Sequence, residues 1–507
     1  MSEAATASSA SATFCPAERR RFVLAAAILA SSMGFIDGSV ILIATPAIRA
    51  DLGATLADAQ WVSNSYMLFL ASLLLIGGAA GDRFGLRNIF GLGIVLFVAA
   101  SMVCAVAPNP AFLIIVRAVQ GLGAAFMVPG SLAIIAKAYP KAERGKAIGI
   151  WAAASSLTTI LGPILGGLLL TWLGDWSWRL VFAINVPLGG AALALLYLRV
   201  PADRQEAGRR LDALGGALVT ASLLLLALGL TGSGENGTPL LSQMLLYCGS
   251  GLVLLVAFLA WEGRTKVPML PLRLFRNIGF SGAQGLTFAL YFSLAAVMFF
   301  LPMTLIGGWG ASAAEVSIVL LPLGIALTVL SPWAGRAADK AGPGPMIAAG
   351  SALVAVAFAL LGLTTPLQSV WFVVFPLMGL FGIGMGLVVS PLSTAVMTSV
   401  EDRDTGVASG VNNAVARVAG LFAVAAMGGV VAVVFETRLG GFAELPVFFG
   451  VVPGEPLPPD VEAARLLATN AAFAAVCYVT AGLSLLSGVI AWFTLERRLG
   501  AKKETAT

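Results

Sequence analysis

Histidine is absent from all 507 residues of the sequence. Imidazole is the commonest general acid or base and the commonest metal ligand, so its absence excludes Ser-His-Asp and Cys-His catalysis and histidine zinc sites. Cysteine is scarce, and the four residues are scattered, with neither metal-ligand spacing nor a disulfide framework: Cys15, Cys104, Cys248 and Cys477. We expect them to be small apolar-packing residues, and we expect no metal and no cofactor.

Charged residues are also few, at 11% of the chain, whereas 59% of the residues are hydrophobic and the mean hydropathy is +0.94. Soluble domains carry roughly a quarter charged residues, so this composition predicts an integral membrane protein. The formal net charge is +5. No basic stripe with interleaved aromatic residues and no nucleic-acid-binding motif accompanies it, so we expect no nucleic-acid partner.

Long apolar runs dominate the chain, and crossing the hydrocarbon core takes about 20 such residues. On that rule the sequence predicts fourteen helices and an all-α polytopic fold. The first run continues past Asp37 to about Ile48, so we expect a retained helix and not a cleaved signal peptide. The predicted spans are 21–48, 60–80, 89–108, 111–138, 145–171, 179–199, 212–231, 240–261, 280–307, 314–335, 345–364, 369–395, 406–435 and 471–494.

The basic residues indicate the topology, because Lys and Arg concentrate in cytoplasmic loops. The fourteen-span assignment places 24 of the 30 basic residues on the side that carries both termini. Four lie in the opposite loops, and only Arg117 and Arg417 lie inside spans. We therefore expect an inner-membrane protein with cytoplasmic termini. Its 436–470 loop faces outside, and the prolines of "VVPGEPLPPD" are expected to prevent long helices there.

The stretch "GGAAGDRFGLRNIF" at 77–90 recurs in part as "GRAADKAGPGPM" from Gly335. A constant offset of 257 residues aligns Gly78 with Gly335, Asp82 with Asp339, Arg83 with Lys340 and Gly85 with Gly342. Each copy follows the second helix of a six-helix unit. The sequence thus predicts two related halves, 21–200 and 266–498, with a helix pair in 201–265 inserted between them and tails at 1–20 (disordered) and 499–507. Parallel repeats of this kind are typical of secondary transporters.

The pattern G-x-x-x-D-R-x-G-x-R at Gly78 to Arg87 resembles the loop signature of the major facilitator superfamily. Fourteen spans with "DGSVILIATPAI" from Asp37, "RAVQGLGAA" from Arg117, "GPILGG" from Gly162, "WRLVFAINVPLG" from Trp178 and "NNAVARVAG" from Asn412 resemble its drug:proton antiporter branch. Two positions depart from the branch: Leu42 stands where Asn is frequent, and Thr158 where Gly is usual. The resemblance implies a major facilitator fold and proton-coupled efflux.

Asp37 is the only acid predicted to lie deep in the first half, and ionisable groups at membrane depth mark ion pathways or paired structural charges. We predict that it is a proton or cation site; the alternative is a fixed structural pair with Arg117. The resemblance assigns Arg117 a part in proton coupling, and its alternative role is to join helices. Because Arg417 is a second buried cation, an anionic or zwitterionic substrate stays open.

Three further groups of residues are predicted to be functional. We expect Arg83 and Arg87 to hold the loop in the cytoplasm and Asp82 to latch against the helix that starts near Thr405, with a purely topological anchor as the alternative. Gly162, Pro163, Gly166 and Gly167 are expected to bend and seal the fifth helix, or to serve ordinary helix packing. Candidate cavity residues are Tyr66, Gln120, Gln284, Met298, Asn412, Asn413 and Arg417; Phe299 and Phe300 are expected to face lipid.

The sequence thus predicts a monomeric exporter of small amphipathic compounds, driven by protons and embedded in lipid, and not an enzyme. No G-x-x-x-x-G-K-[ST] phosphate loop is present, so the energy is expected from an ion gradient. The alternatives are a dedicated exporter of one anionic or lipid-like metabolite and, from another class, a membrane-embedded enzyme or a channel.

Overall fold

The computed structural model describes residues 14–203, 211–231, 240–442, 447–452 and 456–504. Fourteen helices in this part of the chain are long and apolar enough to cross a membrane, and no strand occurs in it. The fourteen predicted spans are therefore confirmed. We number them α1 to α14: Ala17–Leu52, Leu56–Phe84, Leu86–Ala105, Pro110–Ala138, Lys141–Leu173, Asp175–Arg199, Ala213–Thr231, Leu241–Glu262, Ile278–Gly308, Ala313–Ala341, Pro343–Leu367, Val370–Thr398, Thr405–Phe442 and Pro459–Leu495.

Side-chain caps mark where several helices begin. Thr55 with Asp58 forms a capping box at the start of α2, and Ser312 with Glu315 forms another at the start of α10. The Asn109 side chain accepts a hydrogen bond from the Phe112 N–H at the start of α4. Each cap satisfies backbone N–H groups that the first helical turn leaves without a partner. These residues explain why long apolar segments start where they do.

Two spans are interrupted. α6 consists of Trp178–Ala183 and Asn185–Arg199, separated at Ile184, and α10 consists of Ala313–Val319 and Leu321–Ala341, separated at Leu320. The sequence predicted each as one continuous helix. Pro322, the second residue of the longer α10 segment, has no N–H and so cannot donate the backbone bond that a continuous helix would need there.

The end of the second half differs from the prediction. The prolines of the 436–470 segment were expected to exclude long helices, but a helix begins at Pro459 and runs to Glu504. Proline fits the first turn of a helix, where an N–H has no intrahelical partner, so Pro459 starts α14 instead of preventing it. The helix extends into the predicted tail 499–507. At the other end of the chain α1 begins at Ala17, inside the predicted tail 1–20.

The helices pack as two groups with the same internal arrangement. In the first half α2 lies against α4, α3 against α4 and α6, and α1 against α5 and α6. In the second half α10 lies against α12, α11 against α12 and α14, and α9 against α13 and α14. For every pair of helices in contact in the first half, the two helices whose numbers are higher by eight are in contact in the second half. The repeat seen at 77–90 therefore extends to the whole packing pattern.

The halves meet at two related interfaces, α2 with α13 and α5 with α10. The inserted helix α7 packs on both α2 and α13, where Leu223 and Ala227 form an apolar cluster with Leu68 and Leu421. α8 packs on α7, and the Ser222 hydroxyl donates to the Gly251 carbonyl at 2.8 Å. The inserted pair thus covers one of the two interfaces between the halves.

Two aromatic residues expected to face lipid do not. Phe299 and Phe300 have no exposed surface and pack edge to face with ring centroids 5.0 Å apart in the core of the second half. Both rings therefore pack against neighbouring helices and do not face lipid. Three of the four cysteines, Cys15, Cys104 and Cys477, are fully buried and all four are free thiols, as the scattered spacing predicted.

Candidate functional site

An ion pair lies inside the first half. The Arg117 guanidinium on α4 donates through Nη1 to Asp37 Oδ2 on α1 at 2.6 Å. Both side chains are only 1% exposed. Removing one partner of such a buried pair leaves an uncompensated charge and typically costs about 3–5 kcal/mol. The two charges therefore depend on each other in this conformation.

Gln120 completes the pair. It lies one helical turn after Arg117 on the same face of α4, donates through Nε2 to Asp37 Oδ1 at 3.0 Å and accepts from Arg117 Nη1 at 2.8 Å. Both carboxylate oxygens of Asp37 are thus engaged. Gln120 was predicted as a cavity residue, but the structure places it in the charge network.

Further contacts fix the guanidinium. Its Nε donates to the Val62 carbonyl of α2 at 3.1 Å, and its carbon lies 4.4 Å from the centre of the Tyr66 ring. The same carbon lies 5.6 Å from the centre of the Phe182 ring. Such cation–aromatic contacts strengthen when water is excluded. The first half therefore holds the Arg117 guanidinium by contacts from α1, α2, α4 and α6.

An apolar cavity of about 80 Å³ lies beside this pair, between the two halves. Pockets for drug-sized ligands are roughly 300–1,000 Å³, so this cavity is several times smaller than such a pocket. Tyr66 and Met298, two of the cavity candidates, are among the residues that line it. The other lining residues come from α1, α2, α4, α9 and α13: Gly38, Ile41, Leu42, Ser63, Met67, Arg117, Ala295, Gly420 and Val424.

The remaining cavity candidates lie elsewhere. Asn412 accepts a 2.8 Å hydrogen bond from the Thr287 hydroxyl and so joins α13 to α9. Asn413 is exposed and donates to the Ser409 carbonyl at 3.1 Å. Gln284 is 5% exposed, and neither its amide nitrogen nor its oxygen has a hydrogen-bond partner. None of these three residues lines the cavity described above.

The "GPILGG" segment connects the ion-pair helix to the other half. A Cβ on Gly166 would lie 2.2 Å from Val40 Cγ1 of α1, three residues from Asp37. A Cβ on Gly167 would lie 2.0 Å from Ser317 Oγ and 2.5 Å from the Ala313 carbonyl oxygen of α10. The Pro163 carbonyl accepts a hydrogen bond from the Ser317 hydroxyl of α10 at 2.7 Å. Glycine thus permits α5 to touch both α1 and α10. Gly162 also packs on α1, near Ser39.

The halves are in contact at the end of the bundle that carries Leu173 and Ala313. The Ala314 N–H donates to Thr171 Oγ1 at 3.0 Å, and Gln60 of α2 donates to the Val424 carbonyl of α13. In the last turn of α1, Arg49 of the first half donates to the Phe449 carbonyl of the second. Near the other end of α5, a Cβ on Gly145 or Gly149 would meet nothing within 4 Å. The cavity is therefore closed at the Leu173 end.

The two loop repeats share one backbone conformation. Gly85 follows α2 with φ 92°, and Gly342 follows α10 with φ 88°. Residues with a Cβ rarely adopt this region, so both turns require glycine. Gly78 and Gly335 lie in the preceding helices; Asp82 is half-buried, whereas Arg83, Asp339 and Lys340 are exposed. Arg87 donates to the Tyr197 carbonyl at 3.1 Å and lies over its ring.

Asp203, which sequence reasoning missed, fixes the first of these loops. Its carboxylate accepts from the N–H groups of Leu86 (2.9 Å) and Arg87 (3.0 Å) and from Lys137 Nζ (3.0 Å). Burial alone would raise the pKa of Asp203, but these hydrogen bonds outweigh it and hold the pKa below its usual value. In the second repeat Pro343 occupies the first helical position, so the N–H that would need such a partner is absent.

Replacing Asp203 with Ala is expected to lower thermal stability by about 1–2 kcal/mol at pH 7, as the loss of a helix cap does. Because the folded-state pKa is depressed, this stabilisation exists above the unfolded-state pKa of about 3.9 and is lost as the pH falls through the folded-state pKa. The difference in melting temperature between the variant and the wild type in detergent should therefore shrink below about pH 4. Glu143→Ala, which removes an exposed pair with Arg20, is the control and should change little. An equal loss at both pH values would contradict the role of the Asp203 charge.

Two more polar residues extend the network behind Gln120. The Ser101 hydroxyl donates to the Phe182 carbonyl at 2.8 Å and accepts from Asn185 Nδ2 at 2.9 Å. Ser101 also lies 3.5 Å from Gln120 Nε2. Asn185 stands in the "WRLVFAINVPLG" motif, which was the available signal for it, whereas nothing in the local sequence singles out Ser101.

Comparisons with known proteins agree with this architecture. The family model described as Major Facilitator Superfamily matches residues 26–424. The tetracenomycin C resistance and export protein of Streptomyces glaucescens is 32% identical over 80% of this chain and 74% of its own. A multidrug resistance protein B homolog of Mycobacterium tuberculosis is 32% identical over 74% of this chain and 69% of its own.

Among solved structures, a bacterial homolog of the human lysosomal transporter Spinster, inward-facing and unoccupied, superposes with a TM-score of 0.68. It is 18% identical and covers 95% of this chain and 99% of its own, so this likeness concerns the fold. The predicted absence of enzymatic activity is confirmed by the family, whose members are transporters. The fourteen helices, the repeated packing pattern and the family match lead to one conclusion: this chain is a multi-pass membrane protein that belongs to the Major Facilitator Superfamily.

Proposed function

We propose that this protein exports small amphipathic compounds across the cytoplasmic membrane in exchange for protons. The observation that carries the proposal is the fully buried Asp37–Arg117 pair beside an apolar cavity between two repeated halves. The names of the two relatives, an antibiotic resistance and export protein and a multidrug resistance protein homolog, support the substrate class. The protein acts as a monomer in lipid with both termini in the cytoplasm, the side favoured by the basic loops.

Asp37 is the proton carrier in this proposal. In the described conformation its carboxylate is neutralised by Arg117, and the site is closed at the Leu173 end, which the basic loops assign to the outside. When the halves separate at that end, a proton from outside binds Asp37 and takes the place of Arg117. Return to the described conformation releases the proton to the cytoplasm and restores the ion pair. Arg117 stays charged throughout, because arginine is not deprotonated under ordinary conditions.

The two repeated loops form the cytoplasmic gate of this cycle. Asp82 lies in the last turn of α2, and α2 packs along α13, which begins at Thr405. The N-terminus of a helix attracts negative charge. Asp82 therefore contacts the N-terminus of α13 when the cytoplasmic side closes. By the same repeat, Asp339 contacts the N-terminus of α5. Asp203 supports the first loop by fixing the start of α3.

Uptake into energised inside-out vesicles tests the proposal. Several unrelated amphipathic fluorescent compounds should accumulate in wild-type vesicles, and a protonophore should abolish the accumulation. Accumulation of a single compound would favour a dedicated metabolite exporter instead, an alternative supported by Arg417, an intramembrane cation with no ion pair to any residue that the structure describes. Accumulation that persists with the protonophore would remove the proton from the mechanism.

A further inference from the structure

Arg417 is a cation within a membrane span that lacks a counter-ion. It lies twelve residues after the start of α13, about 18 Å along the helix at ~1.5 Å per residue. Among the residues that the structure describes, its side chain forms no ion pair and no hydrogen bond. Leaving a charge without a partner at this depth is expensive, so positions of this kind usually serve substrate or ion pathways.

The nearest intramembrane acid cannot neutralise it. Asp37 already accepts from Arg117 on one carboxylate oxygen and from Gln120 on the other. The two charges of that pair cancel, so the region between the halves carries the positive charge of Arg417. A ligand with a negatively charged group would neutralise this charge, so the region favours an anionic ligand over a neutral or cationic one.

The position of Arg417 on α13 directs it to the space between the halves. Gly420 and Val424 follow at spacings of three and seven residues, which places them on the same helix face, and both line the cavity. Tyr66 and Tyr291 lie near enough to Arg417 for its charge to act on their hydroxyl groups. Tyr66 itself lines the cavity and stacks on Arg117. Arg417 is not itself one of the lining residues, but it lies one helical turn before Gly420, toward the start of α13, and so stands beside the cavity on the basic-loop side.

We propose that Arg417 binds the anionic group of the transported compound, whose apolar part occupies the cavity against Met67, Met298 and Val424. This proposal rests on the export function above and adds the charge of its substrate. A planar guanidinium binds carboxylate, sulfonate or phosphate oxygens through two parallel hydrogen bonds, which an ammonium group cannot do. The hydroxyls of Tyr66 and Tyr291 are further donors for the same anion. The described network contains no intramembrane carboxylate left free to receive a cationic drug.

Binding of three matched fluorescent probes to the purified protein in nanodiscs tests this without any transport step. The probes are anthracene sulfonate, anthracene sulfonamide and anthracenylmethyl-trimethylammonium, which share one ring system and are anionic, neutral and cationic. The wild type should bind the sulfonate most tightly. Arg417→Gln should weaken sulfonate binding by about tenfold or more, equivalent to about 1.4 kcal/mol, and leave the sulfonamide unchanged. Arg417→Lys should retain part of the affinity. Arg438→Gln, on the same helix but exposed, is the matched control.

The outcomes separate this proposal from others. Equal binding of all three probes, or unchanged sulfonate binding in Arg417→Gln, would overturn it. Nanodiscs of phosphatidylcholine alone and with added phosphatidylglycerol distinguish substrate from lipid: full competition by the anionic lipid would assign Arg417 to a lipid headgroup and overturn the substrate assignment. A third outcome is that Arg417→Gln weakens sulfonate binding but the protonophore does not reduce vesicle uptake. That result would support the anion site and refute only proton coupling.

Discussion

Replacing Asp37 with Asn is expected to reduce protonophore-sensitive export by more than about tenfold, because the neutral amide can neither carry a proton nor compensate Arg117. The single variant also leaves a fully buried guanidinium without its counter-ion, which costs about 3–5 kcal/mol. Loss of transport in Asp37→Asn alone is therefore compatible with a purely structural pair.

The double variant Asp37→Asn with Arg117→Gln separates the two roles, because it removes both charges at once. If the pair is structural, the double variant should regain both stability and proton-driven export. If Asp37 carries the proton, it should regain stability but still fail to couple export to the gradient. Asp58→Asn, which alters an exposed cap at the start of α2, is the control for loss of a carboxylate. Export at the wild-type rate by the double variant would refute proton carriage by Asp37.

Gly167→Ala is expected to reduce export by about tenfold or more, because the new Cβ would lie within 2.5 Å of the Ala313 carbonyl oxygen in the other half. Backbone cannot yield as a flexible side chain does, so α5 and α10 must move apart. The contact joins the two halves, whereas the packing inside each half is unaffected. The variant should therefore fold normally and favour conformations that are open at the Leu173 end.

Two measurements check this effect. Gly149→Ala on the same helix is the matched control, since its Cβ meets nothing within 4 Å, and it should export normally. In a protein without its native cysteines, a cysteine in place of the cavity residue Ser63 should react faster with a membrane-impermeant maleimide from outside when Gly167→Ala is present. Unchanged labelling together with normal export would mean that this contact is not part of the cycle.

Local pattern was enough to predict the fold. Three features can be read directly from the sequence. They are the fourteen apolar runs, the distribution of Lys and Arg, and the 257-residue offset between Gly85 and Gly342. The structure shows the same number of spans and the same positive φ at both glycines. The Asp37–Arg117 contact was also predictable, since intramembrane charges must find partners.

Residues that depend on the approach of distant segments were not predictable. Asp203 lies in a polar loop and reaches the start of α3 only after the first half has packed. Ser101 and Gln60 look like ordinary polar residues, and their bonds to Asn185 and to α13 exist only in three dimensions. Composition does not show where Pro459 lies relative to a helix start, so it predicts a helix breaker where a helix begins. The sequence likewise does not show that Gln120 reaches Asp37 across the first half.

Proton movement driven by substrate is the most direct test of the central claim that Asp37 exchanges protons for substrate. Purified protein in liposomes with a trapped pH indicator would receive a substrate gradient and no initial proton gradient. The wild type should move protons against the substrate flow, and the double variant Asp37→Asn with Arg117→Gln should move none. Substrate-driven proton movement in the double variant, or its absence in an actively transporting wild type, would contradict the account.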